Sequence, residues 1–491
     1  MGFVYKTLLC ILGLIIGICG VFMMLPMICA VYYGDHETTL IFGVTGIISI
    51  VAGFGIYRFM PRSRHAMHSR DAYLIVFVSW AVCSIVGAIP YYLSGEITTI
   101  CDAIFESVAG FSTTGATVLG EAHLAEPFLL WKAITHWLGA MGILIFVITV
   151  LPTMGPGGQR IVAAESPGAG LSSTTPRSKD LAKFLYLIYS TLTLAEFLML
   201  LIGSEMGPLE AFINALGSIS TAGLTFHPAG VAHYDSLYVE MVLSCFTLLA
   251  SMNFLLFIYL IKRNFSFIRK NYELKAFLIF IAVSTLLITA DLTSTEAYQS
   301  FSAALRHAFF TVTSFMTTSG LVLGDYNTWP TFSKMLLFAM LFMGGCVAST
   351  SGSVKMLRVI VMIKLVRRAF FRKIHPRSVK AVKIGDNVIS SRMTSSVTSF
   401  VSMYFVTFVV SSVILSLQGL DFETTMGAAA SLMSTTGSSF GAIGVAGDYS
   451  MFCAPLKLFM SLLMLVGRLE LYTVFLILLP SFWNPNRART N

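Results

Sequence analysis

The sequence is poor in charge. Only 11% of its 491 residues are Asp, Glu, Lys or Arg, whereas 56% are hydrophobic and mean hydropathy is +0.80. Soluble domains carry roughly 25% charged residues. A water-soluble fold of this size cannot hide so much apolar surface, so a soluble enzyme is excluded and a bilayer is implied. Cysteine is present but never clustered. Cys10, Cys19, Cys29, Cys83, Cys101, Cys245, Cys346 and Cys453 form no CxxC and no Cys/His group, which excludes a zinc site and a disulfide framework. They read as small buried hydrophobes. Phosphate-binding glycine motifs are also missing, with no GxxxxGK[ST] and no credible GxGxxG unit. No cofactor is expected, and any nucleotide acting on this chain is bound by another polypeptide. No nucleophile–base pair or metal constellation falls within an apolar run, which argues against a membrane-embedded enzyme. The net charge of +8 does not indicate nucleic acid, because the basic residues gather between apolar runs.

Those runs number ten, at about 7–33, 38–60, 72–94, 127–151, 181–204, 236–262, 274–291, 331–365 (interrupted), 396–418 and 453–480. A span needs roughly 20 apolar residues, and backbone in lipid must satisfy its own hydrogen bonds, so helices are expected. The first run is longer than a signal-peptide core of roughly 7–15 residues and lacks a small-residue cleavage site, so it reads as a spanning helix. Basic residues gather at Arg62, Arg64 and Arg70; at Arg160, Arg177 and Lys179; at Lys262, Arg263, Arg269, Lys270 and Lys275; at Lys364, Arg367, Arg368, Arg372, Lys373, Arg377, Lys380 and Lys383; and at Arg487 and Arg489. With ten spans these fall on one side. Asp35, Glu37, Asp102, Glu121, Glu205, Asp291, Glu296, Asp325, Asp421 and Asp448 fall on the other. The basic side is expected to be cytoplasmic, with both termini inside. The stretch 364–383 also suits lipid headgroups or a cytoplasmic partner.

A repeat organises the chain. Four segments share an amphipathic stretch too short to cross the bilayer, followed by a Ser/Thr-rich tripeptide ending in Gly: AIFESVAGFSTTGATVL with Thr113-Thr114-Gly115, AFINALGSISTAGLTF with Thr221-Ala222-Gly223, AFFTVTSFMTTSGLVL with Thr318-Ser319-Gly320, and TMGAAASLMSTTGSSFG with Thr435-Thr436-Gly437. One such tripeptide means nothing; four at similar spacing on one predicted face mean a common function. A half-helix returning as irregular backbone is tolerated only where it lines a cavity or is buried in protein. Backbone carbonyls turned to an axis replace the hydration shell of a monovalent cation without trapping it. Gly supplies the dihedrals, and the helix C-terminal ends favour positive charge. The expected fold is therefore all-α and membrane-embedded: four pseudo-symmetric helix–pore-loop–helix repeats around a central pore, plus an N-terminal helix pair. The expected units are 1–70, 71–155, 180–271, 272–378 and 390–485.

The loops STTGA, STAGL, TTSGL and STTGS, with the extra helix pair before the first repeat, resemble the Trk/Ktr/HKT superfamily of potassium transporters, and its TrkH-like branch in particular. K⁺ channels carry TVGYG in each loop; this chain keeps only Thr and Gly, so a less symmetric filter with fewer ion sites is expected. The resemblance implies K⁺ uptake across a bacterial inner membrane, a homodimer, and a cytoplasmic nucleotide-binding ring of the TrkA type, for which the basic loops at 160–179, 262–275 and 364–383 are the expected docking places.

Two interior features suggest control. Residues 342–355 (FMGGCVASTSGSVK) break the last helix of the third repeat. Gly344, Gly345 and Gly352, with Ser349, Thr350, Ser351 and Ser353, do not favour helix; the alternatives are a small-residue helix contact or a flexible loop below the filter. The resemblance implies the second, a gate. Arg468, with Glu470 two residues on, sits in the apolar run LFMSLLMLVGRLELYTVFLILL, where an ionisable residue marks function by default. It is either half of an Arg–Glu pair or a snorkelling Arg, or, as the resemblance implies, a barrier to cations below the filter. Arg306 reads as a structural pair with an acidic neighbour. His307, His136 and His227 show no metal spacing. The competing function is Na⁺- or H⁺-coupled K⁺ symport, with Glu196 the best buried carboxylate for it.

Overall fold

The computed structural model describes residues 5–60, 69–119, 124–153, 178–378, 381–385, 387–445 and 447–483. Arg62, Arg64, Glu121, Arg160, Arg177, Lys380, Arg487 and Arg489 lie outside the described residues. Helices α1 (Tyr5–Tyr33) and α2 (His36–Phe59) form an antiparallel pair turned at Gly34. Glycine brings the two backbones together. A methyl group at Gly53 would lie under 3.0 Å from the backbone of Gly13 and Gly17, and one at Gly20 would meet the Gly46 carbonyl equally closely. This is the small-residue contact that holds helices together where lipid supplies no hydrophobic drive. The outer face of α2 carries exposed Leu40, Val44, Ile47, Ile48 and Val51, as a lipid-facing surface should.

Four units follow. The first has α3 (Ser69–Leu93), the half-helix α4 (Ile100–Phe111) and α5 (Glu126–Thr153). The second has α6 (Ser178–Gly203), the half-helix α7 (Pro208–Ile219), then α8 (Leu237–Ser251) and α9 (Leu255–Ile261). The third has α10 (Tyr272–Ser294), the half-helix α11 (Phe301–Thr317), then α12 (Thr331–Met340) and α13 (Met356–Ile374). The fourth has α14 (Ser391–Leu415), the half-helix α15 (Phe422–Ser434), then α16 (Ala454–Arg468) and α17 (Tyr472–Leu478). A two-stranded hairpin, Lys383–Ile384 with Asn387–Val388, precedes the last unit.

Each half-helix starts at a defined cap. Thr99, Ser300 and Asp421 accept from the backbone N–H of Asp102, Ala303 and Thr424, and Glu210 reaches back to the Gly207 N–H at 3.2 Å with Pro208 in the first turn. The half-helices run 12, 12, 17 and 13 residues. At about 1.5 Å per residue none reaches the roughly 30 Å of a hydrocarbon core.

Two expected spans are broken. The run 236–262 is two helices bent by 102°: Asn253 sits between them, and its side chain accepts the Leu255 N–H at 2.9 Å to start a new helix. The run 453–480 breaks at Leu469–Leu471, with Glu470 in the left-handed region at φ 54°. The third unit breaks where its glycines predict. Only α5 runs unbroken as a second helix. Ion pairs staple neighbouring units: Glu240 of α8 with Arg306 of α11 at 2.5 Å, Lys334 of α12 with Glu423 of α15 at 3.2 Å, and Lys457 of α16 with Asp102 of α4 at 2.6 Å. In each, a second helix holds the half-helix of the next unit, and the last returns to the first. The Arg306–Glu240 pair is the structural one expected.

Candidate functional site

The four half-helices end alike. Thr113, Thr221, Thr318 and Thr435 all adopt left-handed backbone, at φ 56, 53, 56 and 58°. The N–H of each donates three residues back, to Gly110, Ser218, Phe315 and Leu432. The next N–H donates five back: Thr114 to Ala109, Ala222 to Gly217, Ser319 to Ser314 and Thr436 to Ser431. This double bond is the Schellman termination, normally built on Gly. A β-branched residue there is an outlier that costs about 1–2 kcal/mol. Such strain persists only where the surroundings enforce it, and here it recurs at four matching places.

The glycines follow, at φ 75, 69, 67 and 83° for Gly115, Gly223, Gly320 and Gly437. Their missing side chains close a ring. A methyl group at Gly115 would collide with the carbonyl oxygen of Ala222, at Gly223 with Ser319, at Gly320 with Thr436, and at Gly437 with Thr114, each far under 3.0 Å. The contacts run from the first loop through the second, third and fourth and back to the first. Glycine is thus required twice, for its dihedrals and for the close approach of the neighbouring carbonyl. The twelve tripeptide residues are brought together as the sequence predicts, all buried except for the partly exposed glycines at the first two loops. Thr113 Oγ1 and Thr435 Oγ1 are buried with no protein partner, which suits oxygen ligation of a cation. On the half-helix entry side, a cavity of about 140 Å³ opens over the ring, lined by Gly115, Gly223, Gly320 and Thr436 together with Lys132 and His227.

Beneath the ring lies the segment between α12 and α13, non-helical as expected. Gly344 and Gly345 let its limbs close: the Gly344 N–H donates to Val354 O, the Met356 N–H to Gly345 O, and the Gly345 N–H to Ser351 Oγ. Ser349 bonds to the Cys346 carbonyl at 2.6 Å and to Ser351 at 2.8 Å, and Ser353 to the Leu341 carbonyl at 2.7 Å. The segment touches the second, third and fourth units. The Gly352 N–H donates to Thr318 Oγ1 at 2.8 Å, and a methyl group at Gly352 would strike Thr435 Oγ1 and Ser434 O. Thr350 donates to the Ala250 carbonyl through both its N–H and its hydroxyl, and the Cys346 N–H to Ser251 O. Arg468, 2% exposed, donates from Nη1 to Thr350 O at 2.7 Å and from Nη2 to Gly139 O at 3.4 Å.

Glu470 is not the partner of Arg468. It pairs with Arg358 at 2.7 Å, and that guanidinium also lies 4.0 Å over the Phe400 ring. Glu196 is fully buried behind α7, accepting from Ser218 at 2.5 Å, with its second oxygen unpartnered. His136 is buried on α5, His307 stacks on Tyr298 at 4.7 Å, and His227 bonds to Glu210 at 2.9 Å. No metal-holding group of His, Cys, Asp or Glu occurs among the described residues.

Sequence reading missed several residues here. Lys355 ends the segment with its ammonium on the Ser351 carbonyl and adds a second cation beneath the ring. Glu273 of α10 accepts the Val347 N–H at 2.7 Å. Glu106 and Lys132 form a buried ion pair behind the first loop. Glu106 in a half-length stretch and Lys132 in an apolar run were the available signals, since buried ions are seldom idle.

A sequence profile of the family described as "TrkH: Cation transport protein" matches residues 42–484. The Trk system potassium uptake protein TrkH of Halomonas elongata is 32% identical over 97% of this chain and 99% of its own length. The Trk system potassium uptake protein TrkG of Escherichia coli K12 is 28% identical over 96% and 97%. The crystal structure of the potassium transporter TrkH from Vibrio parahaemolyticus superposes with a TM-score of 0.88 at 28% identity, covering 98% of this chain and all of that one. With a matching profile along most of its length and a shared fold, the chain is a membrane transporter rather than an enzyme, and it belongs to the TrkH family of cation transport proteins.

Proposed function

We propose that this chain takes up K⁺ across the bacterial inner membrane through the axis framed by its four loops. Cyclic closure of those loops carries the reading: four tripeptides in one backbone conformation pack each against the next and close into a ring. Thr113-Thr114-Gly115, Thr221-Ala222-Gly223, Thr318-Ser319-Gly320 and Thr435-Thr436-Gly437 form the selectivity filter. The choice of K⁺ follows the relatives, which are named for potassium uptake. The units 71–155, 180–271, 272–378 and 390–485 each supply one loop, and 1–70 adds the helix pair. The segment at Gly344, Gly345, Ser349, Thr350, Ser351 and Gly352 is the gate, held closed by Arg468.

The acidic side is outside and both termini are cytoplasmic, a placement supported by the exposed basic residues Arg367, Arg372 and Lys373 at the end of α13. The protein works as a homodimer, with a cytoplasmic nucleotide-binding ring of the TrkA type opening the gate. Purified protein alone in liposomes tests conduction. The basal K⁺ flux that passes the gate without the cytoplasmic ring is expected to follow the K⁺ gradient and to ignore Na⁺ and pH gradients. Strict dependence on a second ion would overturn the channel reading in favour of coupled symport, for which the half-bonded buried carboxylate of Glu196 is the supporting observation.

A further inference from the structure

Aligned on their glycines, the four loops differ in what lies nine residues upstream, on the half-helix. The residues are Glu106, Asn214, Thr311 and Ala428. In the first two units that residue reaches forward across the loop to the same backbone position. Glu106 Oε2 accepts the N–H of Val118 at 3.1 Å, and Asn214 Oδ1 accepts the N–H of Phe226 at 3.3 Å. Val118 and Phe226 each stand three residues after their filter glycine. Both side chains are essentially fully buried, and each has a second anchor. Lys132 of α5 pairs with Glu106, while Asn214 Nδ2 donates to Tyr234 Oη at 2.9 Å.

Glu106 holds more than Val118. Thr117 Oγ1 donates to it at 3.2 Å, and the Thr117 backbone pairs with the fourth unit, its N–H to Gly447 O and its carbonyl to the Tyr449 N–H. The Tyr449 hydroxyl then donates to the carbonyl of Gly437 at 3.0 Å. A continuous chain of hydrogen bonds therefore runs from Glu106 to a filter glycine on the neighbouring loop. The third and fourth units have no such clamp at Thr311 or Ala428 among the described hydrogen bonds. Tyr326 braces the fourth loop instead, through the Ser439 carbonyl at 2.8 Å.

We propose that Glu106 and Asn214 are positioning residues for ion selectivity, each clamping the ascending limb of its filter loop so that the ring of carbonyls keeps its diameter. The proposal rests on reading the loops as the filter. Lys132 is there because the first clamp is a carboxylate: a buried anion needs a counter-charge, whereas a buried amide needs only hydrogen bonds. The second unit shows that the clamp works without the charge.

The test is the K⁺/Na⁺ flux ratio in liposomes, with total K⁺ flux and detergent Tm measured alongside. Glu106→Ala and Asn214→Ala should each lower the ratio by about tenfold, the scale of one lost hydrogen bond to a charged or buried group, while total flux persists. The double variant E106Q/K132M copies the uncharged arrangement of the second unit and should keep the wild-type ratio. A merely structural pair predicts the reverse, a fall in Tm with the ratio unmoved. Unchanged ratios in E106A and N214A overturn the proposal, as does a folded E106Q/K132M that has lost selectivity. If E106A does not fold, N214A and the double variant decide. A wild-type protein that conducts K⁺ and Na⁺ alike removes the filter reading itself, a result distinct from failure of the clamp.

Discussion

Removing Arg468 should open the pore. Its guanidinium ties the Thr350 carbonyl of the segment between α12 and α13, the proposed gate, at 2.7 Å, and its longer bond to Gly139 O, at 3.4 Å, anchors it to α5. Hydrogen bonds from charged donors contribute about 1.5–3 kcal/mol net. Counting only the shorter bond, Arg468→Ala shifts the closed–open balance by about 10- to 150-fold. The fixed positive charge beneath the filter disappears as well, which adds to the effect. Rb⁺ or K⁺ flux into liposomes, at equal reconstituted protein and with no cytoplasmic partner present, measures it. Two further variants separate tether from barrier. Arg468→Lys keeps the charge but cannot reach both carbonyls; Arg468→Gln keeps a donor but loses the charge. A tether makes both partly open. A barrier leaves Lys silent and makes Gln as open as Ala. Flux in Arg468→Ala within about twofold of wild type, less than one such bond provides, would refute both.

Filter glycines should tolerate nothing larger: Gly320→Ala places a methyl group on the Thr436 carbonyl at φ 67°, and the K⁺/Na⁺ flux ratio should collapse while helical content by circular dichroism is kept. Arg306→Met leaves Glu240, 2% exposed at its side chain, without its ion partner, a loss of about 3–5 kcal/mol for a fully buried pair and less here because Arg306 is partly exposed; detergent Tm should fall, and E240Q/R306M should recover part of it. Asp421 is held below its ordinary value of 3.8 by the Thr424 hydroxyl first and the Thr424 N–H second. A depressed carboxyl stabilises fully above that ordinary value and loses its contribution as pH falls through the lower folded one. Asp421→Asn keeps a cap acceptor without titrating, so its Tm should fall less steeply than wild type below about pH 4. Gly53→Leu should separate α1 from α2 and lower Tm, with the K⁺/Na⁺ ratio intact because Gly53 packs on Gly13 and Gly17 of α1 rather than on a loop.

The four loops were legible because their signal is local and repeated. Each Thr-x-Gly follows a stretch too short to span, and four copies outweigh the ambiguity of one. The break at Gly344 and Gly345 was legible for the same reason, since glycine and serine in a row oppose helix without help from tertiary structure. The breaks at Asn253 and Glu470 were not. Each depends on one polar residue whose partner is remote or conformational: Asn253 caps a new helix by its own side chain, and Glu470 takes left-handed backbone facing Arg358, 112 residues away in sequence. Hydropathy averages over such residues. Separation in sequence, 26 residues in their case, also hid the pairing of Glu106 with Lys132, and the remoteness of Arg358 made Glu470 look like the partner of its near neighbour Arg468.

The Thr residues at the half-helix ends link the proposed filter to the proposed gate beneath it. Glycine would end these helices without strain, and what Thr adds in its place is a methyl group and a hydroxyl. The Thr318 and Thr435 hydroxyls meet the segment between α12 and α13 at Gly352, and the four hydroxyls are not equivalent. Thr221 bonds to the Ser220 carbonyl at 2.7 Å, while Thr113 and Thr435 have no protein partner. Thr318 is occupied by the Gly352 N–H of the gate. Withdrawal of the gate would release Thr318 into the condition of Thr113 and Thr435. A gate that blocks only by bulk leaves the filter unchanged when it moves. Under the proposed reading, a gate whose amide occupies the Thr318 hydroxyl competes with the ion for that oxygen, so opening the path and freeing that oxygen become one event.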